Sequence, residues 1–113
     1  MAKTLFNVVE YKAQELCKIL ELTYKRQYPQ SDSSLSFVIK KGRKYLKILQ
    51  VDNRDSGTSE SVHAFVDKVT GDLYKPASFK APADIVRFNI LDDADWRRLK
   101  YTADWAGGYL YLR

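Results

Sequence analysis

Apolar positions recur at helical spacing early in the chain and at alternating spacing through its middle. Val9, Ala13, Leu16, Cys17, Leu20 and Tyr24 form one stripe, with Glu15, Lys18 and Lys25 off it, which predicts a helix over 7–28. Val8, Ile19 and Leu22 widen that stripe, as packing across a sheet demands. Asn7 followed three residues later by Glu10 reads as a capping box, Phe6 and Tyr11 as a staple, and Pro29 disfavours helical geometry at Tyr28.

After a polar connector, Gln30–Ser34, the period changes to two. Leu35, Phe37 and Ile39 alternate with Ser36, Val38 and Lys40, so 35–40 is expected to be a half-buried strand. Lys41-Gly42-Arg43 turns the chain, and 44–51 returns as a second strand with Leu46 and Ile48 on one face and Tyr45, Lys47 and Leu49 on the other. The polar run Asp52–Glu60 reads as a loop. Strands at 61–67 and 73–76 flank Val69-Thr70-Gly71-Asp72, where Gly71 is free to take a positive φ. Residues 85–91 fit neither period and suggest a short helical turn. Asp93–Lys100 suggests a second helix with Trp96 and Leu99 on one side, and Tyr109–Leu112 alternates as a final strand. The expected fold is one α+β domain over residues 1–113, with the N-terminal helix packed on an antiparallel sheet of two hairpins and a C-terminal strand at its edge.

Charge alters this picture in one place. The chain carries net +5, and residues 31–50 alone contribute +4 while 51–76 contribute −2, so the positive excess gathers at one tight turn. Lys40, Lys41, Arg43, Lys44 and Lys47 surround it with Tyr45 among them, and Tyr74, Lys75, Phe79 and Lys80 follow the second hairpin. Basic groups neutralise phosphates and exposed rings stack on unpaired bases, so these ten residues are the candidate surface for single-stranded DNA or RNA. The competing expectation is a host-protein-binding or inhibitory module that docks through the stiff Pro76–Pro82 segment; the bland one puts Phe79 in the core with its lysines merely solvating.

Enzyme readings find less support. One histidine excludes zinc sites built on paired histidines, and His63 is expected to be a partly exposed structural residue sharing a strand face with Phe65. Ser56, Ser59, Ser61 and Asp67 could supply a triad by count, but no nucleophile elbow occurs. Asp67, Asp72 and Lys75 approach the acid and acid-x-lysine hairpin of restriction-type nucleases, yet Asp72 and Lys75 are three apart and fall on opposite strand faces. The lone Cys17 on the helix stripe reads as a small buried hydrophobe. No phosphate loop or other cofactor motif is present, and the expectation is a non-enzymatic binding protein without metal or cofactor. No apolar run reaches the roughly 18 residues of a membrane span, and the start lacks a signal-peptide pattern, so a cytoplasmic setting is expected. Oligomeric state stays open.

The run HAFVDKVTGDLYKPASFKAPA, His63–Ala83, continuing to Arg87 and Asn89, resembles a block found in small phage-encoded proteins of unknown function. Lys41–Ile48 and Tyr109–Arg113 are similar to that group as well, while Asp93–Trp105 departs from its shorter ending. The resemblance implies a viral origin and action inside a host cell. It implies no activity.

Overall fold

The computed structural model describes residues 2–30, 34–54 and 56–111, with side chains over 8–30, 35–53 and 56–111. Helix α1 (Ala2–Gln27) lies across one face of a five-stranded antiparallel sheet built from β1 (Ser34–Lys41), β2 (Tyr45–Arg54), β3 (Gly57–Asp67), β4 (Asp72–Pro76) and β5 (Pro82–Asn89). Helix α2 (Asp93–Thr102) and a 3-10 turn, η1 (Gly108–Tyr111), complete it. The expected α+β architecture is found, and the strands pair strictly in chain order.

The helical stripe does what its spacing requires. Val9, Ala13, Leu16, Cys17 and Leu20 are buried against Phe37, Leu46, Ile48, Ala64, Val66, Leu73 and Phe88 of the sheet. Leu22 instead stays half exposed, outside the stripe. α1 also begins five residues earlier than the capping box suggests, so Asn7 is an interior helical residue; the side chain of Phe6 lies outside the described residues. Basic Lys25 and Arg26 occupy the last turn, where they face the negative end of the helix dipole, and Pro29 follows.

Three expectations about the strands are corrected. First, Asp52–Glu60 is not a long loop: β2 runs on to Arg54 and β3 starts at Gly57, with cross-strand partners from Leu49↔Val62 to Arg54↔Gly57. Polar composition marks this hairpin's exposure rather than an absence of pairing, and Thr58 Oγ1 donates to Asn53 Oδ1 across it at 2.9 Å. Second, residues 82–89 form the edge strand β5 where a short helical turn is expected. Its period is hidden because Tyr74 pairs with Val86 and Leu73 with Phe88, leaving Arg87 as an extra residue in a bulge. Third, residues 108–111 are a 3-10 turn and not a final strand; Tyr109 and Leu110 are both buried, which alternation along a strand does not permit. Leu112 lies outside the described residues.

α2 matches its expected sidedness, with Trp96 and Leu99 buried. Asp92 caps it by accepting from Asp95 N at 2.9 Å, and Asp95 Oδ2 in turn accepts from Asn89 N at 2.8 Å, fixing the exit of β5. The segment that follows returns to α1. Trp105 N donates to Thr23 Oγ1 at 3.0 Å and its indole Nε1 to Gln27 Oε1 at 2.8 Å, with Tyr24 and Tyr28 edge-on at 5.3 and 5.7 Å between ring centroids.

His63 is buried, contrary to the expectation of partial exposure. The β2–β3 register explains this: Ile48 faces Ala64 and Leu49 faces Val62, so His63 is an inserted residue that the bulge turns towards the helix side. It meets Phe37 edge-on at 5.2 Å and shares a 2.7 Å hydrogen bond with Tyr109 Oη. Phe65, beyond the bulge, points to the opposite face rather than sharing that of His63. The strand thus splits two aromatic neighbours between two environments.

Candidate nucleic-acid interface

The sheet face turned away from α1 carries the candidate surface. Strand pairing sets one row straight across it: Lys40↔Lys47, Lys47↔Phe65, Phe65↔Tyr74 and Tyr74↔Val86. Directly opposed side chains in an antiparallel pair share a face, so this register alone brings two lysines against two aromatic rings. Tyr45, one row nearer the turn, meets Phe65 edge-on at 5.8 Å and Tyr74 at 6.0 Å.

Lys47 is the centre of the arrangement. Its Nζ lies 4.3 Å from the ring centroid of Phe79 and 5.7 Å from that of Phe65, held over aromatic faces that attract a cation. Lys44 lies similarly over Tyr45 at 5.4 Å. The β4–β5 loop that brings Phe79 here is tightly tied. Ala77 N and Ser78 N both donate to Ala81 O, and Ser78 Oγ accepts from Lys80 N and Ala81 N. With a proline at either end, residues 76–82 form an ordered projection.

A cavity of about 240 Å³ opens between this loop and the β1–β2 turn, lined by Lys40, Lys41, Gly42, Arg43, Lys44, Tyr45, Lys47, Phe65 and Lys80. Lys68 braces its outer side by donating to Gly42 O at 2.9 Å. Lys41 is diverted towards the helix, 3.0 Å from Glu10. The other five cations, Lys40, Arg43, Lys44, Lys47 and Lys80, have no carboxylate partner among the described residues. Seven of the ten candidate residues therefore line one cavity, and Tyr74 and Phe79 adjoin it. Lys75 does not: its Nζ lies over Tyr111 at 4.7 Å, on the helix side of the sheet. Phe65, nearly fully buried, is the floor that the sequence reading missed, since its face depends on the bulge at His63. Pairing Lys47 with Phe65 across the hairpin is the signal that would have found it.

Phe79 is 48% exposed, so it is not a core residue. Phe79→Ala is expected to change unfolding free energy by about 1 kcal/mol or less, against roughly 3–5 kcal/mol for a fully buried aromatic. Chemical denaturation decides it, and a loss above about 3 kcal/mol would return this ring to the core.

The nuclease arrangement is not assembled. Asp67 Oδ1 accepts from Val69 N at 2.8 Å and Thr70 N at 3.0 Å, which shapes the β3–β4 turn. Asp72 Oδ1 accepts from Asn89 Nδ2, and Lys75 faces the other side of the sheet, as the three-residue spacing requires. Among the described residues no three His, Cys, Asp or Glu side chains converge as a metal-ligand set. Cys17 is buried beneath α1, and burial, reinforced by Glu21, pushes its thiol up to about 12, so it stays protonated.

A family model covers residues 1–112, with the description of a family of unknown function, DUF7717. The chain belongs to that family. The match takes in α2 and η1 as well as the central block, so the DUF7717 unit spans the sheet, both helices and the cavity together. No curated protein and no solved structure matches the chain. No described helix is long and apolar enough to cross a membrane.

Proposed function

We propose that this DUF7717 protein binds single-stranded nucleic acid through the cavity between the β1–β2 turn and the β4–β5 loop. The observation that carries the reading is the combination at one place of five cations, without carboxylate partners among the described residues, with Tyr45, Tyr74 and Phe79. Ordinary solvating lysines are spread among acids, whereas two of these, Lys44 and Lys47, lie over the rings of Tyr45, Phe65 and Phe79. Phosphates supply the charge that such a cluster lacks, and bases supply flat faces for the rings. The resemblance of His63–Ala83 to phage-encoded proteins supports extending the proposal to a viral accessory role in a host cytoplasm.

Fluorescence anisotropy with a labelled oligothymidylate and an oligouridylate tests it. Affinity should fall with rising salt, with a log–log slope of up to about −3.5 if all five cations meet phosphates. The double variant Arg43→Glu/Lys44→Glu should lose roughly tenfold or more, while Lys25→Glu on α1 should retain binding. Absence of salt-sensitive binding, with a protein partner retained from host lysate after nuclease treatment, would overturn the reading in favour of a docking module built on Phe79.

A further inference from the structure

The cations form a patch and not a track. Beyond the Lys40–Lys47 row, the next outward-facing row across β1, β2 and β3 is Val38, Leu49 and Val62, and the one after it is Ser36, Val51 and Glu60. Positive charge therefore ends one row into the sheet, and an acid appears two rows later. On the other side, at the β3–β4 turn, Lys68 is tied to Gly42 O, Asp67 is buried with its Oδ1 accepting from Val69 N and Thr70 N, and Asp72 is half-buried. A strand running through the site would carry its phosphates over apolar side chains in one direction and past a lysine already bound to a backbone carbonyl and the half-buried Asp72 in the other. Internal phosphodiesters, each with one negative charge, are poorly matched to a half-walled cavity of about 240 Å³ that concentrates five cations with no carboxylate partner among the described residues. A terminal phosphate is matched: it bears nearly two charges and three strong acceptor oxygens.

Resting on the nucleic-acid reading above, we infer that the cavity takes the phosphorylated end of a single strand: a nucleotide whose terminal phosphomonoester meets Arg43, Lys44 and Lys80 and whose base lies against Tyr45. The same chemistry is offered by a free nucleoside monophosphate. The β1–β2 turn and the 77–81 loop close the cavity on two sides, and only one or two further nucleotides find a cation, at Lys40 and Lys47.

Calorimetry with synthetic oligothymidylates separates the possibilities. Four octanucleotide probes are compared at one salt concentration: 5′-phosphorylated, 3′-phosphorylated, unphosphorylated and covalently circular. One phosphorylated end should bind about tenfold or more tighter than the unphosphorylated and circular forms, as loss of a doubly charged, hydrogen-bonded group implies. A phosphorylated trinucleotide should match the phosphorylated octanucleotide within about twofold, because contacts stop where the cations stop. Thymidine monophosphate binding as tightly as the trinucleotide would assign the cavity to the free nucleotide and uphold the phosphomonoester chemistry. Arg43→Ala should erase the preference for the phosphorylated end. Equal affinity for all four octanucleotides overturns end recognition while leaving nucleic-acid binding intact. Failure of every oligomer to bind overturns both.

Discussion

Gly71→Ala should lower the unfolding free energy by about 2–4 kcal/mol, the sum of a left-handed backbone penalty and overpacking. Gly71 closes the β3–β4 turn at φ +78°, and a Cβ built there falls 2.9 Å from Leu91 Cγ and 3.4 Å from Ile90 Cγ1. Relaxation is hindered because the residue is tied on both sides: its N–H donates to Asp67 O at 2.9 Å, and its carbonyl accepts from Ile90 N at 2.9 Å. Moving the turn would thus also disturb the exit of β5. Gly108→Ala is the control, since its Cβ meets nothing within 4 Å and its φ is not positive. Urea denaturation of the two variants beside the parent protein measures both effects. A loss below about 1 kcal/mol for Gly71→Ala would show that the turn accommodates a side chain.

The second large effect is on pH. Burial holds His63 down from its ordinary value to about 4, with Asp104 opposing. Tyr109, its hydrogen-bond partner, is itself held protonated by burial, well above the ordinary tyrosine value. Unfolded, the imidazole protonates near pH 6.5, so between about 6.5 and 4 the unfolded chain binds the extra proton and the folded one does not. Stability from this site is therefore fully present above about pH 6.5 and is lost as pH falls towards 4, by about 3 kcal/mol in all. Melting temperatures recorded across this range should fall, and His63→Gln should flatten that fall. An equally steep decline in the variant would place the acid sensitivity elsewhere.

The first helix and β1 are legible because each buries one face and leaves the other more exposed, while β3, buried on both faces over 63–67, and β4 are legible from the Val69–Asp72 turn between them. Val9 to Leu20 repeat with the helix, and Leu35, Phe37 and Ile39 with the strand. What escaped are the places where the period is broken on purpose by an inserted residue. His63 and Arg87 each shift the phase of their strands, which hid the burial of His63, the outward turn of Phe65 and the existence of β5. The basic cluster around the turn was visible from charge alone. Which lysine belonged to it was not: Lys75 and Lys80 look equivalent in the sequence, but only Lys80 lies on the outward face. Polar content misled at 52–60, where an exposed hairpin has the same composition as a loop.

The return of Trp105 to α1 bears on the order in which the molecule assembles during synthesis. Each strand pairs with the one made just before it, so the sheet forms from local encounters as the chain emerges. The last turn of α1 is different: Thr23 and Gln27 wait for a partner 82 and 78 residues downstream. Until residue 105 leaves the ribosome, Tyr24 in the helix's last turn and Tyr28 just beyond it lack the indole they pack on. The earliest element to be made is thus among the last to be finished.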